Sequence, residues 1–295
     1  MLSLLFFLLL LLSFLPGLAA AQKSTAAPSA AAEAEVLSNA SQLILDRQYE
    51  SAFKLLNAFD PKHQRPAVAI KQAELALTYH LRSREYEGFG FIDLKPSERL
   101  DSLRAHFTRA AIRYPFPVER VLKNLLKRYP TNYKLNRALG DYYYQVEQCE
   151  CAEAERSPKE LYALMVRHYT TAHAHGYGDY ASYYALGYAR MSQRRYQESV
   201  PAFKRSIALR PNYALSRYYL AYSYIHLNKL KSALEEARAA VRFSDDPTLK
   251  DDAIFTTKTL EKRIAAAQST KSPKKSRKSS SRNSQSSAKK ATSAP

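Results

Sequence analysis

The sequence predicts an all-α fold, a right-handed α-solenoid built from helical hairpins. The first observation behind this prediction is self-similarity at a fixed period, because residues 180–213 align with residues 214–247 over 34 positions and place Leu186 on Leu220. A period of this length is typical of arrays in which two-helix units stack on their neighbours. Such an array buries its apolar faces between units, so the 295 residues need no single globular core.

The second and third observations are helical spacing and recurrent turn chemistry. From residue 34 onward, apolar residues recur at the spacing that forms one buried face of an amphipathic helix. The string Arg-Pro-Asn-Tyr at 210–213 closes one unit, and Arg-Tyr-Pro-Thr-Asn-Tyr at 128–133 has the same chemistry. A further unit is therefore predicted to start at Tyr133.

The chain opens with an uncharged apolar run, residues 2–15, which is followed by Pro16, Gly17 and a short alanine stretch. This pattern predicts a secretory signal peptide over residues 1–21 and a flexible linker over residues 22–33. The alternative is an uncleaved membrane anchor, because about 20 apolar residues are enough to cross a bilayer. The chain is thus predicted to be exported, into the periplasm if it is bacterial and otherwise into the secretory pathway.

Diverged helical repeats are predicted over residues 34–132. The first is a hairpin of two helices, and a helix from about residue 66 to residue 84 follows it. Residues 87–94, with two glycines among aromatic residues, predict a packed loop. A helix then restarts with Ser97 as its N-cap and pairs with a partner helix over about 118–129.

Units with stronger repeat character follow, over residues 133–179, 180–213 and 214–247. The pair Leu-Gly at 139 lies 47 residues before the pair at 186, so the unit 133–179 carries an insertion of 13 residues, placed in its turn between 145 and 159. Gly176 is predicted to end its second helix. Residues 248–267 predict a capping helix with a polar face, and residues 268–295 a disordered basic tail rich in serine and lysine.

The unit 180–213 resembles the tetratricopeptide repeat. Its string Y-Y-A-L-G-Y-A-R places an aromatic residue three positions before Leu-Gly, Tyr196 lies in the turn, Phe203 lies on the second helix and Pro211 closes the unit. The resemblance is strong over residues 133–247 and weaker before them. It implies an array of helical hairpins in which the first helix of each unit lines a concave groove.

Four residues depart from the family pattern. Ser199 and Ser206 stand where the family usually has alanine, Arg190 stands where it usually has tyrosine, and Asp245 stands where the second unit should have its proline. These polar side chains weaken the expected close packing but leave the predicted fold unchanged.

The resemblance also implies a ligand groove lined by the first helices. Residues four apart share one helix face, and a tyrosine offers both apolar contact and a hydroxyl group that can bond a peptide carbonyl. Three cations beside the groove would favour an anionic ligand. The alternative is that the rings pack between helices, as many of the chain's 22 tyrosines must. The predicted groove residues are Tyr184, Tyr188, Tyr218, Tyr222, Lys134, Arg137 and Arg217.

The formal charge of +18 predicts attraction to anionic surfaces. The C-terminal tail contributes much of this charge and contains no acidic residue. In an exported protein the polyanion would be phospholipid head groups, an acidic polysaccharide or an acidic protein, and nucleic acid is the natural partner only without export. The alternative is that the tail only keeps the protein soluble. The tail cations predicted to contact a polyanion are Lys271, Lys274, Lys275, Arg277, Lys278, Arg282, Lys289 and Lys290.

The chain has only two cysteines, Cys149 and Cys151. In an oxidising compartment they would pair, and one intervening residue makes a tight, reducible ring. With His168, His173 and His175 downstream, the thiols would also offer soft metal ligands, although a zinc site normally shows Cys-x-x-Cys spacing. Three interpretations stay open: a redox or metal site, a loop pinned by a local disulfide, and pairing with a second chain.

Enzyme motifs are missing from the sequence. The chain lacks Gly-x-Ser-x-Gly and His-Glu-x-x-His, and its Gly-Phe-Gly string at 88–90 has no third glycine. The prediction is therefore a non-enzymatic scaffold or adapter, without cofactor or bound metal, that binds a protein or peptide in the groove; in a bacterium it would assemble envelope machinery. The alternatives are a polyanion- or envelope-surface-binding protein that acts through its tail, and a redox or metal-handling protein centred on the Cys-x-Cys loop.

Overall fold

A computed structural model describes residues 29–106, 111–149 and 156–269. Within these residues the chain forms twelve helices and three short strands. The elements before the strong repeats are α1 (Ala30–Leu45), α2 (Tyr49–Phe59), α3 (Pro66–Tyr79), β1 (Arg82–Arg84), β2 (Gly88–Gly90), α4 (Leu100–His106), β3 (Tyr114–Pro115) and α5 (Val118–Arg128). They are followed by α6 (Tyr133–Gln148), α7 (Pro158–Ala174), α8 (Tyr180–Ser192), α9 (Tyr196–Leu209), α10 (Ala214–His226), α11 (Leu230–Phe243) and α12 (Pro247–Ser269).

The helices pack as a linear array of hairpins. The pairs α1 with α2, α6 with α7, α8 with α9, and α10 with α11 form hairpins, and the main contacts of each hairpin are with its neighbours along the chain. Helix α12 packs against α11 at the C-terminal end of the array. The predicted all-α solenoid with a C-terminal capping helix is therefore confirmed.

One turn geometry recurs in three of the hairpins. Arg47, Arg194 and Asn228 each follow the first helix of their hairpin with φ between 55° and 62°. At Arg194 the following N–H, that of Arg195, donates to the carbonyl of Arg190 at 2.9 Å, which closes a Schellman motif. The corresponding hydrogen bond, from the N–H after the positive-φ residue to the carbonyl five positions earlier, also forms at the turns of Arg47 and Asn228. The first, diverged hairpin thus turns in the same way as the units 180–213 and 214–247.

The two helices of a hairpin interlock at a glycine. A Cβ atom built on Gly187 of α8 would lie 2.7 Å from two ring atoms of Phe203 on α9, and one on Gly140 of α6 would lie 2.7 Å from the ring of Tyr169 on α7. Both rings are almost completely buried. The glycines therefore permit a close approach of ring and backbone that no larger residue would allow.

Buried serines explain how the array tolerates its departures from the family pattern. Ser199 Oγ lies 2.8 Å from Ser223 Oγ, and Ser206 Oγ lies 2.7 Å from Ser216 Oγ. Ser206 also donates to the carbonyl of Tyr180 at 2.7 Å. A buried hydroxyl costs little when it is hydrogen-bonded, so the serines of α9 are matched by serines of α10.

A small antiparallel sheet interrupts the second unit, and it corrects two predictions. The helix predicted to reach residue 84 ends at Tyr79, and the loop predicted over 87–94 contains strand β2. Strand β2 pairs with both β1 and β3, with Phe89 opposite Ser83 and opposite Tyr114. Phe89 is completely buried, so burying this aromatic residue together with its neighbours favours strands here over a longer helix.

Helix α5 has a different partner from the one predicted. It packs against α3 and α6, so α3 and α5 are the two helices of one unit, and the sheet and α4 are inserted between them. Ser97 is not an N-cap, because α4 begins only at Leu100. A turn precedes that helix, in which the Glu98 side chain accepts a hydrogen bond from the Lys95 N–H at 2.8 Å.

Several predictions lie outside the described residues. They are the signal peptide, most of the linker, the cationic tail and, in the middle of the chain, Cys151. Helix α1 begins at Ala30, inside the predicted linker, because Ser29 caps it by accepting the Ala32 N–H at 3.2 Å. None of the described helices is long and apolar enough to span a bilayer.

Candidate functional site

A cleft of about 670 Å³ opens between α3, α6 and α8, the first helices of three successive units. Apolar side chains of α3, among them Ile70 and Leu77, form one wall, and α6 forms the floor with Tyr144. Helix α8 contributes Ala181 and Tyr184 to the opposite wall. Of the units 180–213 and 214–247, only the first contributes a helix, α8, to the cleft.

The mouth of the cleft is shaped by the end of α7. Gly176 has φ of 83°, its N–H donates to the carbonyl of His173 at 3.1 Å, and the Tyr177 N–H donates to the carbonyl of Ala172 at 3.0 Å. These bonds end the helix in a Schellman motif, as predicted for Gly176. The motif places Tyr177 at the mouth, where its ring centroid lies 5.8 Å from Lys134 Nζ.

Arg137 lies in the cleft wall between two carboxylates. Its Nε donates to both carboxylate oxygens of Asp141 at 2.9 Å, and its Nη1 lies 3.0 Å from Asp179 Oδ1. Burial opposes its charge, but the two carboxylates raise the pKa of Arg137 above its ordinary value. Asp179 also caps α8 by accepting the Ser182 N–H, so this ion pair ties α6 to the start of the next unit.

The charged lining of the cleft holds three acids and two bases. The Arg137 side chain is 23% exposed, whereas Asp141 is 37% and Asp179 is 53% exposed. Glu74, the third acid, pairs with Lys71 at 2.8 Å, and Lys134, the second base, is exposed at the mouth. The two aspartates share one guanidinium, so one negative charge of this group stays without a cation.

Arg217 does not line the cleft. Its Nη1 donates to Glu236 at 2.9 Å, its Nε donates to the carbonyl of Pro211 at 2.9 Å, and its guanidinium lies 5.2 Å from the ring centroid of Phe243. The side chain is mostly buried in these contacts. It therefore connects α10 to α11 and is not available to a ligand in this cleft.

The four predicted groove tyrosines do not share one surface. Tyr184 lines the cleft but is itself buried. Tyr188, one turn further along α8, donates to Glu147 at 3.0 Å. Tyr218 is half-buried, and Tyr222 is exposed beside the ring of His226 at 4.7 Å. The registered spacing places each pair on the same face of its own helix, but α8 and α10 lie at different distances from the cleft.

Other residues of the cleft were missed by sequence reasoning. Tyr144 and Tyr213 line it, and burial raises the pKa of each to about 12, so both hydroxyl groups stay protonated near neutral pH. Tyr144 lies four positions after Gly140, on the first helix of a recognised unit. That position could have been found from the repeat register, whereas the contribution of α3 could not, because α3 shows no repeat motif.

The histidines near the Cys-x-Cys loop have separate structural roles. His168 Nδ1 lies 3.1 Å from Asn136 Oδ1, His173 Nε2 lies 3.0 Å from Ser182 Oγ, and His175 stacks on Tyr133 with ring centroids 3.4 Å apart. Among residues 29–106, 111–149 and 156–269, no group of three or more His, Cys, Asp or Glu side chains is arranged to hold a metal ion. Cys149 follows α6 as its C-cap and is disulfide-bonded.

Sequence comparison adds a family match for one of the hairpins. Residues 180–213, which form α8 and α9, match the family model of the tetratricopeptide repeat. The matched tetratricopeptide repeat supplies one wall of the cleft through α8, and the interlock of Gly187 with Phe203 lies inside it. Among curated proteins, none matches the chain.

Two solved structures have folds similar to that of this chain. A thermophilic tetratricopeptide-repeat protein of Thermus thermophilus is 17% identical, with a TM-score of 0.45, and the match covers 76% of this chain and 98% of that protein. MamA of MSR-1 is 18% identical, with a TM-score of 0.46, and the match covers 72% of this chain and 93% of MamA. At this identity and TM-score, nothing about the function of the chain follows from the likeness.

Replacing Arg137 with methionine should lower the free energy of unfolding by about 1–3 kcal/mol, because two carboxylates would lose their counter-charge in a half-buried wall. Urea denaturation measures this loss. Part of the stability should return in the double variant Arg137→Met, Asp141→Asn, and exposed Lys231→Met on α11 is the matched control. Equal losses for Arg137→Met and Lys231→Met would show that the ion pair does not tie the units together.

Proposed function

We propose that this chain is a non-enzymatic protein-interaction scaffold that holds a segment of a partner protein in the cleft between α3, α6 and α8. The observation that carries the proposal is the combination, on rigid helices, of about 670 Å³ of open space, tyrosine rings and exposed carboxylates. Apolar clefts with a few convergent polar groups are typical binding sites. The match of α8 and α9 to the tetratricopeptide repeat supports a binding role.

The charges of the cleft select the chemistry of the partner segment. Glu74, Asp141 and Asp179 outnumber Lys134 and Arg137; Glu74 pairs with Lys71, and the two aspartates share the single guanidinium of Arg137. A segment that combines a lysine or arginine with an apolar side chain would pair with the carboxylates and stack on the tyrosine rings of the cleft. An acidic segment would be repelled by the same groups. This proposal differs from the anion preference predicted from Lys134, Arg137 and Arg217.

The test compares variants of the full chain in affinity capture from the cells that produce it. Ala181→Trp should fill the cleft, because Ala181 is a half-exposed cleft residue on α8. Its matched control, Ala208→Trp, changes an exposed alanine of α9 outside the cleft. We expect a partner that binds the unmodified chain and Ala208→Trp, and that binds Ala181→Trp at least about tenfold more weakly, a loss of roughly 1.4 kcal/mol.

A second pair of variants tests the contribution of the Tyr177 ring independently of the volume of the cleft. Tyr177 and Tyr129 are each 39% exposed, but only Tyr177 lines the cleft, so Tyr177→Ala should weaken binding and Tyr129→Ala should not. A variant with glutamine at the tail cations tests the polyanion alternative. If binding depends on the tail and on low salt but is indifferent to Ala181→Trp, the scaffold proposal fails.

The compartment in which the scaffold acts is part of the same proposal. Export rests on the apolar run at residues 2–15 and the small residues before Gln22. The intact mass of the protein isolated from its own cells should correspond to a chain that starts at Gln22. A mass that includes residues 1–21 would indicate the membrane-anchored alternative.

A further inference from the structure

A second, smaller pocket lies in the N-terminal units, between the loop that joins α2 to α3 and the C-terminal half of α5. Its volume is about 140 Å³, several times the roughly 30 Å³ that one water occupies in the liquid. Val121 and Leu125 of α5 form its apolar part. The pocket does not overlap the cleft, and it plays no part in the proposed scaffold function.

Two cations share this pocket without a counter-charge. Lys62 of the loop and Arg128 of α5 both line it, and no aspartate or glutamate does. Within the described residues neither side chain makes an ion pair. Both residues are exposed, so their charges are open to an anion that enters the pocket, and both would attract it.

Neutral hydrogen-bonding groups complete the lining. Gln64 of the loop, Asn124 of α5 and His63 also line the pocket. His63 Nδ1 lies 3.1 Å from the side-chain oxygen of Gln72. The other ring nitrogen, Nε2, makes no hydrogen bond within the described residues. An amide N–H is a donor that suits an oxyanion, as is an imidazole N–H.

The loop is held in place before any ligand arrives. The carboxylate of Asp60 accepts hydrogen bonds from the N–H groups of Gln64 at 3.0 Å and Arg65 at 2.8 Å. Its negative charge is therefore stabilised by backbone groups of the loop itself. His63 has φ of 50°, a conformation that costs energy for a residue with a side chain. The ring of Phe116 supports it edge-on at 4.9 Å between centroids.

We propose that this pocket binds a phosphate group, with Lys62 and Arg128 as the charge partners and Gln64, Asn124 and His63 as further hydrogen-bonding groups. Arginine and lysine are the residues that proteins use most for phosphate oxygens. The pocket is large enough for one phosphate group and too small for a nucleotide. The phosphate belongs either to the free ion or to a phosphate monoester, since both present the same oxygens.

The experiment titrates the full chain with inorganic phosphate by calorimetry, at constant ionic strength maintained with sodium chloride. We expect saturable binding of one phosphate per chain. Lys62→Gln and Arg128→Gln should each raise the Kd about tenfold, because each removes a charge-assisted hydrogen bond. Lys127→Gln is the matched control, since Lys127 is an exposed neighbour on the same turn of α5 outside the pocket.

Further titrations identify the source of the phosphate group. Tighter binding of O-phosphoserine or glycerol 3-phosphate than of inorganic phosphate would assign the pocket to a monoester, and the reverse order would assign it to the free ion. Melting curves without phosphate check that each variant is folded. The proposal is overturned if binding does not saturate, if chloride competes equally, or if Lys127→Gln weakens binding as much as Arg128→Gln.

Discussion

Replacing Phe203 with alanine should lower the free energy of unfolding by about 3–5 kcal/mol, the usual loss when a fully buried aromatic ring is removed from a packed interior. The ring is completely buried and contacts Gly187 of its own hairpin and Tyr219 of the next, so its removal leaves a cavity between two units. Urea denaturation measures the change. Phe255→Ala is the matched control, because that ring is 72% exposed on α12.

The contact between Phe203 and Gly187 offers a companion test. Alanine favours a helix over glycine by up to about 1 kcal/mol, but here the new methyl group would meet a ring that cannot move, at a cost of about 1–3 kcal/mol. Gly187→Ala should therefore destabilise the protein, and it should destabilise a Phe203→Leu background less. A more stable Gly187→Ala protein would show that the interlock leaves room for a methyl group.

Acidification from pH 7 to about pH 4 should destabilise the fold through three histidines. Burial lowers the pKa values of His80, His168 and His173 to about 4, while an unfolded chain has histidine pKa values near 6.5. Between these values the unfolded chain binds protons that the folded chain does not, so the free energy of unfolding falls as the pH drops through this window. The effect is at most about 3 kcal/mol per histidine, and less where the ring is partly exposed.

His168 is the best residue with which to test this effect. It is buried, faces Asn136, and has the cations of Arg167 and Lys123 nearby, which also lower its pKa, against the opposing charge of Glu119. His168→Gln should reduce the difference in urea midpoint between pH 7 and pH 5, whereas exposed His226→Gln should leave the difference unchanged. Identical pH dependence in the two variants would contradict a role for burial at residue 168.

The sequence was most informative where structure is local and repeated. The 34-residue period predicts α8 to α11, and the helical spacing predicts the first hairpin, because these elements depend on neighbours within one unit. The sheet was missed because strands of two or three residues leave no alternating pattern, and Phe89 is strand-like only through its burial against distant aromatic residues. The partner of α5 depends likewise on contacts across an insertion.

The candidate site was only partly predictable, for a related reason. Family resemblance places first helices along a groove, and Tyr184, Lys134 and Arg137 do line the cleft. The availability of their charges was not predictable, because Arg137 pairs with Asp179, which lies 42 positions later in the chain and caps another helix. Pairing across units decides the sign of the exposed charge, and no local pattern encodes it.

The contacts between neighbouring hairpins have a mechanical consequence. If the molecule were held at its two ends and stretched, the load would pass from one hairpin to the next, since the main contacts of each hairpin are with its neighbours. Hairpins would detach one at a time, and each release would lengthen the chain by one unit. A scaffold of this kind could yield under load without losing the units that still hold a partner.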